Sequence, residues 1–175
     1  MTNLDQLLFI ENVSNARLNI GQQTIRLVKI EPNAVCCWAS IHFSIMENDE
    51  LISRAEVIQV DLEYLEQMYK VCGISNLLTL PRFRGKGYGK QIVKVATDYI
   101  LCNDVDLGLL FCEPRLESFY ASNGWEAQNN SVTRIGSSTN YQQYASMRMI
   151  LLVSDKGKNL CANFENSPMY FQRIW

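Results

Sequence analysis

The sequence is poor in several features that define whole classes of protein. It has one histidine, His42, in 175 residues, and its six cysteines (36, 37, 72, 102, 112 and 161) form no Cys-x-x-Cys pair. That argues against a zinc site, and no metal is expected. Scattered cysteines inside apolar runs read as small buried hydrophobes of a reducing compartment. No apolar run reaches the ~18 residues of a membrane span, and no signal peptide is evident, so the expectation is a cytoplasmic protein that does not contact a membrane. Strong charge is lacking as well. A formal net charge of −2 argues against a general binder of nucleic acid or anionic lipid. The P-loop spacing GxxxxGK[ST] and the dinucleotide fingerprint GxGxxG are both absent.

What remains is an ordinary globular composition, 47% hydrophobic and 19% charged. A chain of this length fits one domain that buries about 70% of its unfolded surface. The reading is a single domain over 1–175, with a core at about 34–153 and a C-terminal extension at 154–175.

The most informative stretch is Leu77 to Lys90, LLTLPRFRGKGYGK. An apolar run stops at Pro81, a basic glycine-spaced turn follows from Arg82 to Gly89, and Gln91 to Leu101 has a helical apolar stripe (Ile92, Val93, Ala96, Tyr99, Ile100). Strand, glycine turn and helix in that order make an anion cradle. Glycines turn through positive φ and expose N–H groups, and the helix start adds unpaired donors and a partial positive charge. A diphosphate suits such a cradle. Arg82, Arg84, Lys86 and Lys90 form a local basic cluster, which suits a small anionic ligand.

Elsewhere the chain reads as follows. Ala34–Ile45 and Leu51–Val60 are β-rich runs joined by the polar residues Glu47–Glu50, an antiparallel hairpin. Residues 61–72 are open between a helix, from the spacing of Leu62, Leu65 and Met68, and an extension of that hairpin. The key strand is Ile74–Leu80, after Gly73. Asp106–Cys112 is a strand covered on both faces, and Pro114 opens a short helix closed by Gly124. Gln128–Asn140 reads as a polar loop, and a last strand lies near Tyr144–Val153. The aromatic tail (Met169, Tyr170, Phe171, Trp175) packs as a lid or edge. Leu7–Ile10 and Thr24–Ile30 are strand-like, and Asp5–Arg17 could equally be helical.

Arg84-x-x-Gly87-x-Gly89 after a strand ended by proline resembles the pyrophosphate signature of the GNAT acetyltransferase superfamily. A second stretch, LLFCEPRLESFYASNGW, resembles the later end of the same fold through Phe119-Tyr120 and Gly124-Trp125. Together they cover residues 74–125, with weaker similarity from about 40 to 153. Within the superfamily, the aminoglycoside 2′-N-acetyltransferases and their relatives look most similar, although the acid that those enzymes carry on the key strand falls on Ser75 here.

The resemblance implies an α+β fold, a mixed and mostly antiparallel sheet with helices on both faces. It implies acetyl-CoA as co-substrate, held between the strands matching Ile74–Leu80 and Asp106–Cys112. The backbone N–H groups of Leu77, Leu78 and Thr79 would face the cofactor. Arg84, Gly85, Lys86, Gly87, Tyr88, Gly89 and Lys90 would hold the pyrophosphate. Tyr120 would protonate the leaving thiolate, since a phenol with a pKa near 10 stays protonated at neutral pH. Candidate bases are Glu56, Glu113 and Glu117, with His42 structural or at the cleft edge. Cys112 offers a route through an acyl-cysteine. The expected activity is acetyl transfer to a primary amine of a small molecule or peptide by direct attack. A catalytically inactive acyl-CoA-binding or sensing domain is the alternative, and a homodimer is one option for assembly.

Overall fold

The computed structural model describes residues 15–20, 23–30, 39–159 and 167–175. The chain divides into two compact units, 1–59 with 74–103, and 60–73 with 104–175. Leu7–Ile10, the first residues of the Ala34–Ile45 run, and Cys36, Cys37 and Cys161 lie outside the described residues. Cys72 and Cys112 are buried and Cys102 is exposed.

In the first unit the strands follow the order β1 (Asn15–Ile20), β2 (Gln23–Ile30), β3 (Ala39–Glu47), β4 (Glu50–Tyr64) up to Gln59 and β5 (Gln67–Thr79) from Ile74, the rest of the last two belonging to the second unit. The expected hairpin is β3 with β4. Asn48 and Asp49 turn it at φ 49° and 61°, the left-handed pair that a tight hairpin turn requires. Residues 61–72 extend that hairpin, because Leu65 and Glu66 turn at φ 50° and 62° and β5 runs on through Gly73 as one strand. Side chains alternate across β3. Phe43 is fully buried and meets Tyr99 of helix α1 (Tyr88–Leu101) with ring centroids 5.5 Å apart, while His42 stands on the opposite face.

In the second unit β5 pairs in parallel with β6 (Leu107–Cys112) through Val71–Gly73 and Leu107–Leu109. β6 pairs antiparallel with β10 (Met147–Leu152), which also pairs with β7 (Glu126–Ala127). The sheet is therefore mixed and mostly antiparallel, as expected. Helix α2 (Glu117–Ala121) follows a 3-10 turn at Pro114–Leu116. The supposed polar loop contains a strand, β8 (Thr133–Gly136), which pairs with β9 (Tyr141–Tyr144) and in parallel with β11 (Met169–Phe171).

In that second, three-stranded sheet β11 is an edge strand, as one reading of the tail expected, and its Met169 and Phe171 are core residues packed with Leu62, Tyr64, Tyr69, Leu107 and Ile150. Asp106 ties the unit together. Its carboxylate accepts from the Ser154 hydroxyl at 2.7 Å and from the Lys70 N–H at 3.0 Å. Ser154 also caps the single turn α3 (Asp155–Lys158).

Candidate active site

The cradle belongs wholly to the first unit. Leu80 is the last extended residue, its N–H bonded to Ile52 O at 3.0 Å, and Pro81 starts a 3-10 turn that ends at Phe83. Gly85 and Gly87 follow at φ 76° and 86°, and a Cβ built on either meets no atom within 4 Å. The chain thus keeps a left-handed, open backbone where any other residue would be strained.

Gly87 is the N-cap of α1 and contributes no side-chain cap. The first-turn N–H groups of Tyr88, Gly89 and Lys90 therefore lack intrahelical partners, and a helix of 14 residues aims its dipole at the same point. These are the features of an anion site.

The basic residues divide. Arg82 pairs with Glu50, and Arg84 Nε donates to the carbonyl of Thr79 at 3.1 Å, which secures the end of β5. Lys86 and Lys90 are exposed, and Lys86 leans over Phe83 with Nζ 5.7 Å from the ring centroid. Phe83 meets Tyr88 edge to face, and Tyr88 Oη accepts from Gln23 at 3.0 Å.

Leu77, Leu78 and Thr79 end β5 and are half-buried. Buried Ser53 fixes them from β4. Its hydroxyl donates to Leu78 O at 3.0 Å and lies 2.9 Å from Thr79 Oγ1. Just before them Asn76 takes φ 50° inside a strand, a left-handed residue that no sequence signal announced. Its side chain donates to Glu56 Oε2 at 2.5 Å, and Glu56 Oε1 stands 3.3 Å from His42 Nε2.

Tyr120 belongs to the second unit, on α2, and is only 6% exposed. Burial, and then the neighbouring Cys112, push its hydroxyl up to about 12. The proton is therefore held at every physiological pH, as expected, but on a weaker acid than an ordinary phenol. Cys112 is also raised, by burial and then by Glu117 and Glu113. A thiol held protonated is a poor nucleophile, which argues against the acyl-cysteine route. Glu113 pairs with Arg115 at 2.5 Å and is well exposed, as is Glu117. Neither has the setting of a base. Of the three carboxylates considered, Glu56 alone is buried.

A family model described as "Acetyltransferase (GNAT) domain" matches residues 39–128, just over half of the 175 residues. The chain belongs to this family of acetyltransferases. No curated protein matches it. Among solved structures, the GNAT family N-acetyltransferase YhbS from Escherichia coli in complex with CoA aligns with a TM-score of 0.54 at 13% identity, over 75% of this chain and 67% of that one. Spermidine N-acetyltransferase from Vibrio cholerae, in complex with CoA and spermine, aligns at 0.46 and 20% identity, over 67% of this chain and 68% of that one. A GCN5-related N-acetyltransferase from Kribbella flavida aligns at 0.45 and 16% identity, and there the match spans 52% of this chain but 23% of the other. The first of these alignments supports the fold.

Proposed function

We propose that the chain is an acetyl-CoA-dependent N-acetyltransferase acting on a primary amine of a small molecule or peptide by direct attack. The observation that carries this reading is the cradle. Two left-handed glycines with open space around them stand before an uncapped helix start. Gly85 to Lys90 would hold the pyrophosphate through backbone N–H groups, with Lys86 and Lys90 adding charge. Acetyl-CoA supplies an activated acyl group when bound.

Leu77 to Thr79 would donate backbone N–H groups where the carbonyl oxygen gains charge, the geometry by which acyl transfer is most strongly assisted. Tyr120 would stabilise the departing thiolate. A donor at about 12 is roughly 3.5 units less acidic than a free thiol at about 8.5, or about 5 kcal/mol at about 1.36 kcal/mol per unit. Tyr120 therefore serves by donating a hydrogen bond, with the proton finally supplied from solvent. Family membership supports acyl transfer, and the binding-only alternative draws no support from it.

The test is Gly87→Glu. A Cβ at φ 86° costs about 1 kcal/mol, and the carboxylate would stand where the diphosphate belongs. The variant should melt within about 4 °C of the wild type and show no CoA binding by calorimetry. Wild-type affinity in a folded Gly87→Glu protein would refute the cradle. Wild-type protein that binds CoA but acetylates none of a panel of alkylamines, amino sugars and peptides would refute the transferase reading instead.

A further inference from the structure

Strand β4 is irregular where it meets the end of β5. Its register against β3 runs Ile45 opposite Ser53 and then Met46 opposite Leu51, so Ile52 is an extra residue, a bulge. Bulges re-aim the side chains beside them. Ser53, next in the chain and 1% exposed, places its hydroxyl against β5, where it donates to Leu78 O at 3.0 Å. That uses the single proton of the hydroxyl. Thr79 Oγ1, 2.9 Å from Ser53 Oγ, is therefore the donor in that second contact. The result is a chain of two hydroxyls ending on a backbone carbonyl.

The carbonyl matters because of what shares its plane. Leu78 C=O and Thr79 N–H belong to one rigid, trans peptide unit and point in opposite directions. Holding the oxygen from the β4 side therefore aims the Thr79 N–H away from β4. The next peptide unit is held as well: Thr79 O accepts from Arg84 Nε at 3.1 Å, and Leu80 N–H donates to Ile52 O at 3.0 Å. A hydrogen bond accepted at an amide oxygen also polarises the N–H of the same amide, and chains of such bonds strengthen one another by about 10–30% per bond.

We propose that Ser53 is a positioning residue for acyl transfer: its hydroxyl, backed by that of Thr79, aims and polarises the Thr79 N–H as the donor to the thioester carbonyl oxygen. This rests on the N-acetyltransferase reading, in which the amides of Leu77–Thr79 face the thioester, and it names Thr79 as the donor among them. Ser53 neither touches the substrate nor exchanges a proton with it. As negative charge gathers on the acyl oxygen, charge pushed onto the amide through Thr79 N–H collects on Leu78 O, where the Ser53 hydroxyl meets it. Dipoles fixed before the reaction in this way cost no reorganisation during it.

The test reads the carbonyl itself and needs no acceptor amine. Acetyl-CoA isotopically labelled at the thioester carbon would be bound to wild-type, Ser53→Ala and Ser53→Cys protein. Its carbon NMR signal and C=O stretch would be compared with those of free acetyl-CoA. Donation to the oxygen moves the carbon signal downfield and lowers the stretch. The wild type should show both shifts, and Ser53→Ala should move both back toward the free values. Ser53→Cys, whose S–H is a weak donor, should fall between. CoA, which lacks the acyl group, should bind all three proteins alike by calorimetry. With any amine that the wild type acetylates, Ser53→Ala should lower kcat about 3- to 30-fold at unchanged amine KM, short of the roughly 10²–10³-fold that follows outright loss of an oxyanion donor. Full wild-type shifts in folded Ser53→Ala would overturn the proposal and leave the transferase reading intact. A wild-type carbonyl identical to that of free acetyl-CoA, with the cofactor bound, would overturn the proposal by taking Thr79 off the thioester. Failure of the wild type to bind CoA or acetyl-CoA would overturn the N-acetyltransferase reading and the proposal with it. Should Ser53→Ala fail to fold, Ser53→Cys carries the comparison, and signals equal to the wild type in that variant would overturn the proposal as well.

Discussion

A Cβ built on Gly85 or Gly87 meets nothing within 4 Å, whereas one built on Gly108 lies 2.8 Å from Cη2 of Trp125, and one on Gly73 falls within the indole of Trp175. The first pair stands in the first unit at positive φ; the second pair lies in strands of the second unit. Removing a side chain serves opposite ends in the two places. In the cradle it leaves the backbone facing space that no protein atom fills. In β5 and β6 it lets tryptophan rings lie against the sheet, and the space is already filled by the protein. Composition counts all four alike, and only local φ and packing separate them.

That contrast is sharpest under substitution. Gly108→Val must displace Trp125, which is 1% exposed, and meets Leu151 Cβ as well. Overpacking of this kind costs typically about 1–3 kcal/mol and occasionally more. We expect at least the upper figure, which for a chain of this size lowers Tm by roughly 6–12 °C. Gly85→Ala carries only its backbone strain of about 1 kcal/mol and should lower Tm by about 2–4 °C. Equal Tm losses in the two variants, measured by calorimetry, would break the distinction.

The next effect is kinetic. Tyr120→Phe keeps the ring and its packing against Phe119, whose centroid lies 5.0 Å away. On the proposed role it loses one hydrogen bond to a developing charge, worth about 1.5–3 kcal/mol, so kcat should fall roughly 10- to 100-fold at unchanged CoA affinity. A core tyrosine without a role in transfer would leave kcat per folded molecule intact. Tm and kcat measured on one preparation distinguish the two.

Much of the first unit was legible in the sequence because its turns carry turn chemistry. Asn48-Asp49 sits between alternating strands, and the glycines at 85 and 87 announce a positive φ by their placement between a strand and a helix. The extension of the hairpin, which belongs to the second unit, could not be told from a helix, because Leu65 and Glu66 are poor residues for a left-handed turn and their neighbours fit a helical period equally well. The second unit hid more. β8 lies in a segment rich in Ser, Thr and Asn whose strand character comes from pairing with β11, some 35 residues on. The candidate site followed the same rule. The cradle is local in sequence and could be read, whereas the contact of Glu56 with Asn76 joins residues 20 positions apart and leaves no spacing to recognise.

The smallest effect concerns the polar group that most resembles Glu56 while differing in its neighbours. Asp106, in the second unit, has its carboxylate engaged from within, by the Ser154 hydroxyl and the Lys70 N–H, with Lys156 Nζ 3.9 Å away. Burial alone would raise its pKa, but the Ser154 and Lys70 hydrogen bonds and then the charges of Lys156 and Lys70 together hold it below the usual carboxylate value. A folded-state pKa below the unfolded one means that the ionised carboxylate favours the folded state. That contribution is fully present above the unfolded value of about 3.9 and disappears as pH falls through the lowered folded value. Asp106→Asn should therefore cost about 1–2 kcal/mol at pH 7, since the amide can replace one acceptor but not the charge. The difference from the wild type, followed by urea unfolding between pH 7 and pH 2.5, should shrink steadily below about pH 4. A stability gap of constant size across that range would mean that Asp106 acts through its shape alone.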